Sequence, residues 1–435
     1  MRKALPLLLA IALVLGACGS DTSADSSDGG DTTTADDSSA DDSAADGGTG
    51  DGGSGSSTAE VMAGDVSPEG SGGGPATGEP IRFGAISSLS GVATFPEAAV
   101  AAQAVFDRFN EQGGLDGRPV ELVVEDDGSD AAKAATAART LVEDRQVVGM
   151  VGGASLLACA AAGQYLADQG VYSILGTGVD PVCFRNDHIA AVNTGPFFSA
   201  GIDMTYLSEN LGLGNVCFMG LNVPDLIPSY REVVTQWEEA TGNTLTAFVT
   251  VEAQDDPTVG LTALRSAGCE GVTMALIEPV YLAYIQAAVA GGFTGDYQIM
   301  MLTSGYSSTL AEALGPNGDG IPANSEFEPF TGDCACLEDF KGLMEANDIP
   351  LTSFATGGYL AANLALTALQ SIDGEVTAES VGAAFQALDV ETSLLGAPFV
   401  WGNQPNHTSK IVEIRDGGWV TVGDANEWIT FPPEG

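Results

Sequence analysis

The chain has 435 residues, of which 59 are Asp or Glu and only 14 are Lys or Arg, giving a formal net charge of −45. Such a balance excludes nucleic-acid or anionic-membrane binding through a basic face. At 44% hydrophobic residues it still leaves enough apolar material for a large folded core.

In chain order, Arg2 and Lys3 precede an apolar run from Ala4 to Ala17. That run is well short of the roughly 20 residues of a membrane-spanning helix. A charged start, a short apolar stretch and small residues before the break describe a secretory signal over 1–17. Leu15-Gly16-Ala17-Cys18 resembles the bacterial lipobox, which implies lipidation at Cys18 and tethering to the outer face of the cell membrane through acyl chains. From Gly19 to Gly78 there is no Lys, Arg, Phe, Tyr or Trp, while 13 carboxylates fall there. Such a segment buries too little apolar surface to offset chain entropy. Residues 18–78 are therefore expected to be a disordered acidic leash.

The remaining length exceeds what one core usually holds. Ile81 to Ile86 reads as a buried strand. A helix follows from Pro96, which suits a first helical turn, to the stop at Gly113-Gly114. Val120 to Val124, Val147 to Val151 and Val171 to Leu175 read as strands, separated by helices over 130–144 and 156–169. The alternation breaks near Asn193-Thr194-Gly195-Pro196. It resumes with strands at 215–220, 246–251, 271–276 and 298–302 and helices at 229–242, 258–267 and 280–291. Two more helices are read at 356–372 and 377–388. Strands alternating with helices imply right-handed crossovers and parallel sheets. The fold class is α/β, with two doubly wound parallel-sheet lobes: 79–195 with 329–395, and 196–328 with 396–424. Crossings between lobes are expected near 195, 328 and 395.

Six cysteines follow Cys18, an even number in an exported chain, which points to disulfides. Local position favours Cys159–Cys183 and Cys217–Cys269. Cys334 and Cys336 remain, and their pairing is the most open. No zinc-type spacing is present, so no metal is expected.

In open parallel sheets a ligand binds beyond the carboxyl ends of the strands, where loop amides and helix N-termini face it. Those loops are 87–95, 152–156 and 176–180 in the first lobe, and 220–225, 277–278 and 303–306 in the second. They are rich in Gly, Ser and Thr, which also suits ordinary turns and caps. Catalysis finds little support. The two histidines, His188 and His407, lie in polar turns away from these loops. No G-x-S-x-G elbow or P-loop occurs, and the nearest dinucleotide pattern, at 176–181, lacks its third glycine. No cofactor is expected.

RFGAISSLSG, DRFNEQGGLDGRPVELVVEDDGSD, LVEDRQVVGMVGG and TGGYLAANLALTAL together resemble the type I periplasmic binding proteins, most closely the substrate-binding proteins of branched-chain amino-acid ABC transporters. The resemblance covers most of 80–420. It implies two lobes joined by three crossing segments that close on a solute by hinge motion. The partners it implies are a small-molecule solute and the permease subunits of an importer, with the protein acting as a monomer and not as an enzyme. Amino-acid binders of this family hold the α-carboxylate at positions that match 152–156 and 177–179. Ser155 or Leu156 takes the serine position, Thr177 and Gly178 flank it, and Val179 stands where the family has threonine. The family's acidic anchor for the ammonium matches Thr303. Glu278 or Asp225 would have to replace it, because an unpaired buried ammonium is costly. Phe95 and Tyr306 would supply apolar walls. An amino acid, a neutral amide, a urea-like compound or a carboxylic or aromatic acid all remain open as solutes. So do a sensor of the same fold and, further off, a tethered α/β enzyme.

Overall fold

The computed structural model describes Asp65 and residues 67–223, 225–402, 406–423 and 427–432. The signal segment 1–17, Cys18 and the leash as far as residue 64 lie outside the described residues.

The first sheet opens with β1 (Ile81–Ser87), buried on both faces, as a strand covered by helices on each side should be. Pro96 then starts α1 (Pro96–Glu111), and Gly113 and Gly114 end it at φ 105° and 61°, values L side chains rarely adopt. β2 (Val120–Asp126), α2 (Ala131–Arg139), β3 (Gly149–Val151), α3 (Ala158–Asp168), β4 (Ser173–Leu175) and β5 (Ile189–Ala191) complete the unit. Asp130 caps α2 by accepting from the Lys133 amide at 2.9 Å. The strands run parallel in the order β2-β1-β3-β4-β5. The expected break at 193–196 is the entry to another helix, α4 (Pro196–Thr205).

The second sheet contains β6 (Val216–Leu221), β7 (Ala247–Val251), β8 (Gly271–Ala275), β9 (Gln298–Met301) and β10 (Pro322–Ser325). Its interleaved helices are α5 (Ile227–Thr241), α6 (Pro257–Ala267), α7 (Glu278–Ala290) and α8 (Ser308–Leu314). The chain then returns to the first sheet with α9 (Glu338–Ala346), α10 (Ser353–Gln370) and α11 (Ala378–Gln386), and with the short hairpin of β11 (Asp389–Val390) and β12 (Phe399–Val400). Trp401 packs there against Tyr172 and Phe385. The third crossing therefore falls after residue 401, later than the expected position near 395. β13 (Thr408–Arg415), β14 (Gly418–Thr421) and β15 (Ile429–Thr430) extend the second sheet, which runs β14-β13-β10-β9-β8-β6-β7 with β15 on β13. β13 is antiparallel to β10. Among the described residues no helix is long and apolar enough to cross a membrane.

The cysteines pair as Cys159–Cys183, Cys217–Cys269 and Cys334–Cys336. The second of these ties the edge of β6 to the turn before β8.

The leash reading to residue 78 extends too far. Asp65 is buried and accepts from the Thr392 hydroxyl at 2.6 Å and the Ser393 amide at 2.9 Å. The Ser67 hydroxyl donates to Asn363 at 2.7 Å, and the Ser71 amide donates to the Gly114 carbonyl at 2.9 Å. This stretch docks through polar pairs to α1, α10 and the 392–393 turn. Apolar content, the measure by which it looked unable to fold, does not register such pairs.

Helix α10 presses on α1 and on the turn after β4 at a pair of glycines. A Cβ at Gly358 would stand 1.9 Å from the Ala98 carbonyl oxygen, and one at Gly357 2.0 Å from that of Gly176. Both obstacles are backbone and cannot rotate away. Gly358→Ala is expected to lower unfolding stability by about 3 kcal/mol, through overpacking. Urea denaturation checks this, and an unchanged midpoint would show that the helix contact can yield.

Candidate functional site

The carboxyl ends of β1, β3 and β4 face those of β6, β8 and β9, and two adjoining chambers lie between them. Each spans about 600 Å³ of space that is in part open to solvent. Phe95, Ile277, Thr303, Ser304 and Phe354 wall both. Phe95 and Phe354 meet edge to face with centroids 5.4 Å apart, the geometry aromatic quadrupoles prefer.

The inner chamber gathers Leu156, Thr177, Gly178 and Val179 from the first sheet and Leu221, Leu226, Ile277 and Leu302 from the second. Its wall is mainly aliphatic and aromatic. The outer chamber holds Glu97, Glu278, Ser307, Ser353 and Tyr306. Among the described residues no Lys, Arg or His lines either chamber. His188 stacks on Tyr172 and His407 on Phe198.

The sequence-derived candidates divide between these surfaces. Leu156, Thr177, Gly178 and Val179 meet in the inner chamber, Glu278 and Tyr306 in the outer, Phe95 and Thr303 in both. Ser155 faces neither. Its hydroxyl donates to Asp127 and accepts from the amides of Leu157 at 3.1 Å and Ala158 at 2.9 Å, so it is consumed in closing the turn into α3. Asp225 is exposed and lines neither chamber. Tyr306 is a packed wall. Its ring stacks on Phe330 at 4.0 Å, and its hydroxyl lies 3.3 Å from that of Thr331.

Thr303 is held from two sides, its amide donating to Asn324 at 3.1 Å and its hydroxyl lying 2.5 Å from that of Ser353. Glu278, in the first turn of α7, accepts from the hydroxyls of Ser307 at 2.7 Å and Thr309 at 2.9 Å. Thr177 differs from both. It is 3% exposed, and its hydroxyl has no hydrogen-bond partner among the described residues. Burying an unpaired hydroxyl costs free energy.

Two carboxylates absent from the sequence-derived set shape the electrostatics. Glu326, fully buried at the floor of the inner chamber, accepts from the Ser199 hydroxyl at 2.7 Å, from Asn193 Nδ2 at 3.1 Å and from the Gly195 amide. Burial pushes its pKa up to about 7 despite these donors. Glu97, in the first turn of α1, is also raised, by burial and, more weakly, by the charge of Glu278. Glu97 follows the Phe95-Pro96 helix start and so was within reach of the helix-start pattern. Glu326 sits in SEFEPF, where nothing marks the acid as buried.

A family model described as periplasmic binding protein matches residues 80–418. Among solved structures, the chain is similar to a possible leucine/isoleucine/valine-binding protein from Rhodopirellula baltica SH 1. The two are 19% identical, with 80% of this chain and 98% of that one covered, at a TM-score of 0.69. It is also similar to an ABC transporter solute-binding protein from R. palustris in complex with benzoate, at 16% identity, 81% and 98% coverage and a TM-score of 0.66. A fatty acid ABC transporter substrate-binding protein from Thermomonospora curvata matches at 18% identity, 83% and 96% coverage and a TM-score of 0.68. At these identities the likeness establishes the fold. No curated protein sequence matches the chain.

The raised pKa of Glu326 has a consequence for stability. Below its ordinary value of 4.5 the group is protonated in both the folded and unfolded chains. Between there and about 7 the unfolded chain releases the proton while the folded chain keeps it. Stability attributable to this group therefore falls as pH rises through that window, by about 3 kcal/mol in total. Urea midpoints from pH 4.5 to 7.5 should fall more steeply for the wild type than for Glu326→Gln. Parallel curves would mean that Glu326 titrates normally.

Proposed function

We propose that this chain, which belongs to the periplasmic binding protein family, is the extracytoplasmic solute-binding component of an ABC importer. Its family is one of binding proteins rather than enzymes. Two lobes, one on each sheet, would close on a small amphipathic solute by rotation about the crossing segments and present it to permease subunits. The observation that carries this reading is the pair of chambers at the facing carboxyl ends of the two sheets, with walls drawn from both. The apolar inner wall accounts for affinity through burial. The hydroxyls and carboxylates of the outer chamber orient the polar end. Tethering at Cys18 rests on the lipobox-like stretch LGAC and would keep the binder near its permease. A sensor built on the same clamp differs only in the partner that reads the closed form.

A thermal-shift panel of amino acids, amides, amines and short or aromatic acids on the full chain tests capture. A solute at 100 times its dissociation constant should add roughly 2.7 kcal/mol, a rise of a few degrees. Leu221→Trp would fill the inner chamber. It should abolish the shift while leaving the unliganded melting temperature within a degree or two of wild type, as roughly expected for a partly exposed position. A ligand response surviving in Leu221→Trp would place binding elsewhere, and no response to any solute would sink the capture reading. For the anchor, Cys18→Ser is expected to move the protein from the membrane fraction of expressing cells to the soluble exported fraction. Retention at the membrane would rule out lipidation there.

A further inference from the structure

The chambers differ in chemistry, and neither offers a cation. A solute whose only charge is a carboxylate would exchange water for an apolar wall and three acidic side chains, Glu326, Glu97 and Glu278. Burying a charge without a partner is costly, and burying it beside like charges costs more.

The outer chamber has the opposite bias. Glu97 comes from α1, on the first sheet, and Glu278 from α7, on the second. Both line the same space, and the charge of Glu278 acts on Glu97. Among the described residues no ion pair involves either one. Two acids brought together from opposite sides of a cleft repel each other, and a cation between them turns that repulsion into attraction. A second observation comes from the inner chamber. Thr177, 3% exposed, lines the inner chamber, and its hydroxyl has no partner among the described residues. Buried hydroxyls are ordinarily satisfied, so this one points to a polar atom supplied from outside the chain.

We propose that the solute is an amphipathic amine. Its ammonium lies between Glu97 and Glu278, its apolar body fills the inner chamber, and a neutral hydrogen-bonding atom at its far end meets Thr177. This rests on the solute-capture reading and narrows its ligand class. It also gives the acid missing at position 303 a replacement made of two acids, one from each side of the cleft. Binding then couples to closure, because only with the two sides together do both carboxylates reach one ammonium.

Four compounds sharing one aromatic ring test this by calorimetric titration of the full chain: tyramine, 2-phenylethylamine, 4-hydroxyphenylacetate and L-tyrosine. Tyramine should bind most tightly. 4-Hydroxyphenylacetate, identical at the far end but anionic, should bind at least about tenfold more weakly, as loss of a charge partner in a desolvated site implies. Glu97→Gln and Glu278→Gln should each weaken tyramine by about tenfold and leave the melting temperature of the free protein in place. Thr177→Val should erase the preference for tyramine over 2-phenylethylamine without changing the affinity for the latter. Tighter binding of 4-hydroxyphenylacetate or L-tyrosine would overturn the amine assignment while leaving solute capture intact. Tyramine affinity unchanged in both Gln variants would overturn it too. Failure of all four ring compounds, when some other class in the broader panel shifts the protein, would also overturn this inference and not the capture reading.

Discussion

A carboxylate buried without a cation has to be held by hydrogen-bond donors, and Glu326 takes three from one short stretch of chain, Asn193, Gly195 and Ser199. That stretch leads out of the first sheet, whereas Glu326 leads out of β10 in the second. The Thr194 hydroxyl reaches the third connection, donating to the Thr408 carbonyl at 2.6 Å. Three passages between the sheets are thus fastened to one another by buried polar groups. In a low-dielectric interior such bonds are strong when complete and costly when broken. The separation of the two sheets, and with it the width of both chambers, depends on this knot.

The same knot reaches the binding surface. Asn324, on β10, donates to Asp203 at 2.7 Å and accepts from the amide of Thr303, which walls both chambers. Asp203 is itself fully buried, and burial, reinforced by the charge of Glu326, holds its carboxyl well above the usual range. Two acids close together behind an apolar chamber cannot both ionise cheaply. The floor beneath the inner chamber is therefore acidic and not fully charged near neutral pH. It would add to the rejection of anions without offering a permanent charge to compete with the outer chamber.

Much of the fold was legible because its strands and helices follow local rules. β1 is an apolar run covered on both faces, α1 starts at a proline and stops at two glycines, and strands and helices alternate regularly from 81 to 175 and again from 216 to 302. The pairings Cys159–Cys183 and Cys217–Cys269 could be read from proximity in the chain. What escaped was decided by distant partners. β10 carries Asn324 in a fully buried strand, and only Asp203 and Thr303, far away in sequence, make that tolerable. Asp65 and Ser67 lie in a stretch almost without apolar content, and they dock because Thr392, Ser393 and Asn363 await them. Ser155 had the right residue type in the right loop, yet the turn into α3 needed its hydroxyl first. The aliphatic wall from Leu221 and Leu226 was hidden for another reason: leucines flanking a strand and a helix look like core.

The departures from the amino-acid-binding pattern form a coherent set when taken with the geometry. On the positional match that the resemblance implies, Val179 in place of threonine would remove a donor from the inner chamber, whose wall it lines. On the same match, Thr303 in place of an acid would remove the anchor from the boundary between the chambers. Its hydroxyl is then free to pair with Ser353 at the start of α10, the helix that Gly358 seats on α1. The acids stand instead farther out, at the first turns of α1 and α7, the positive ends of two helix dipoles where a carboxylate is favoured before any solute arrives. Each change taken singly loses an interaction with an α-amino acid. Taken together, on the proposed reading, they would move the polar end of the site by one chamber and leave an apolar space behind it. Selectivity in such a cleft follows from which buried groups the wrong solute would leave unpaired, more than from the attraction offered to the right one.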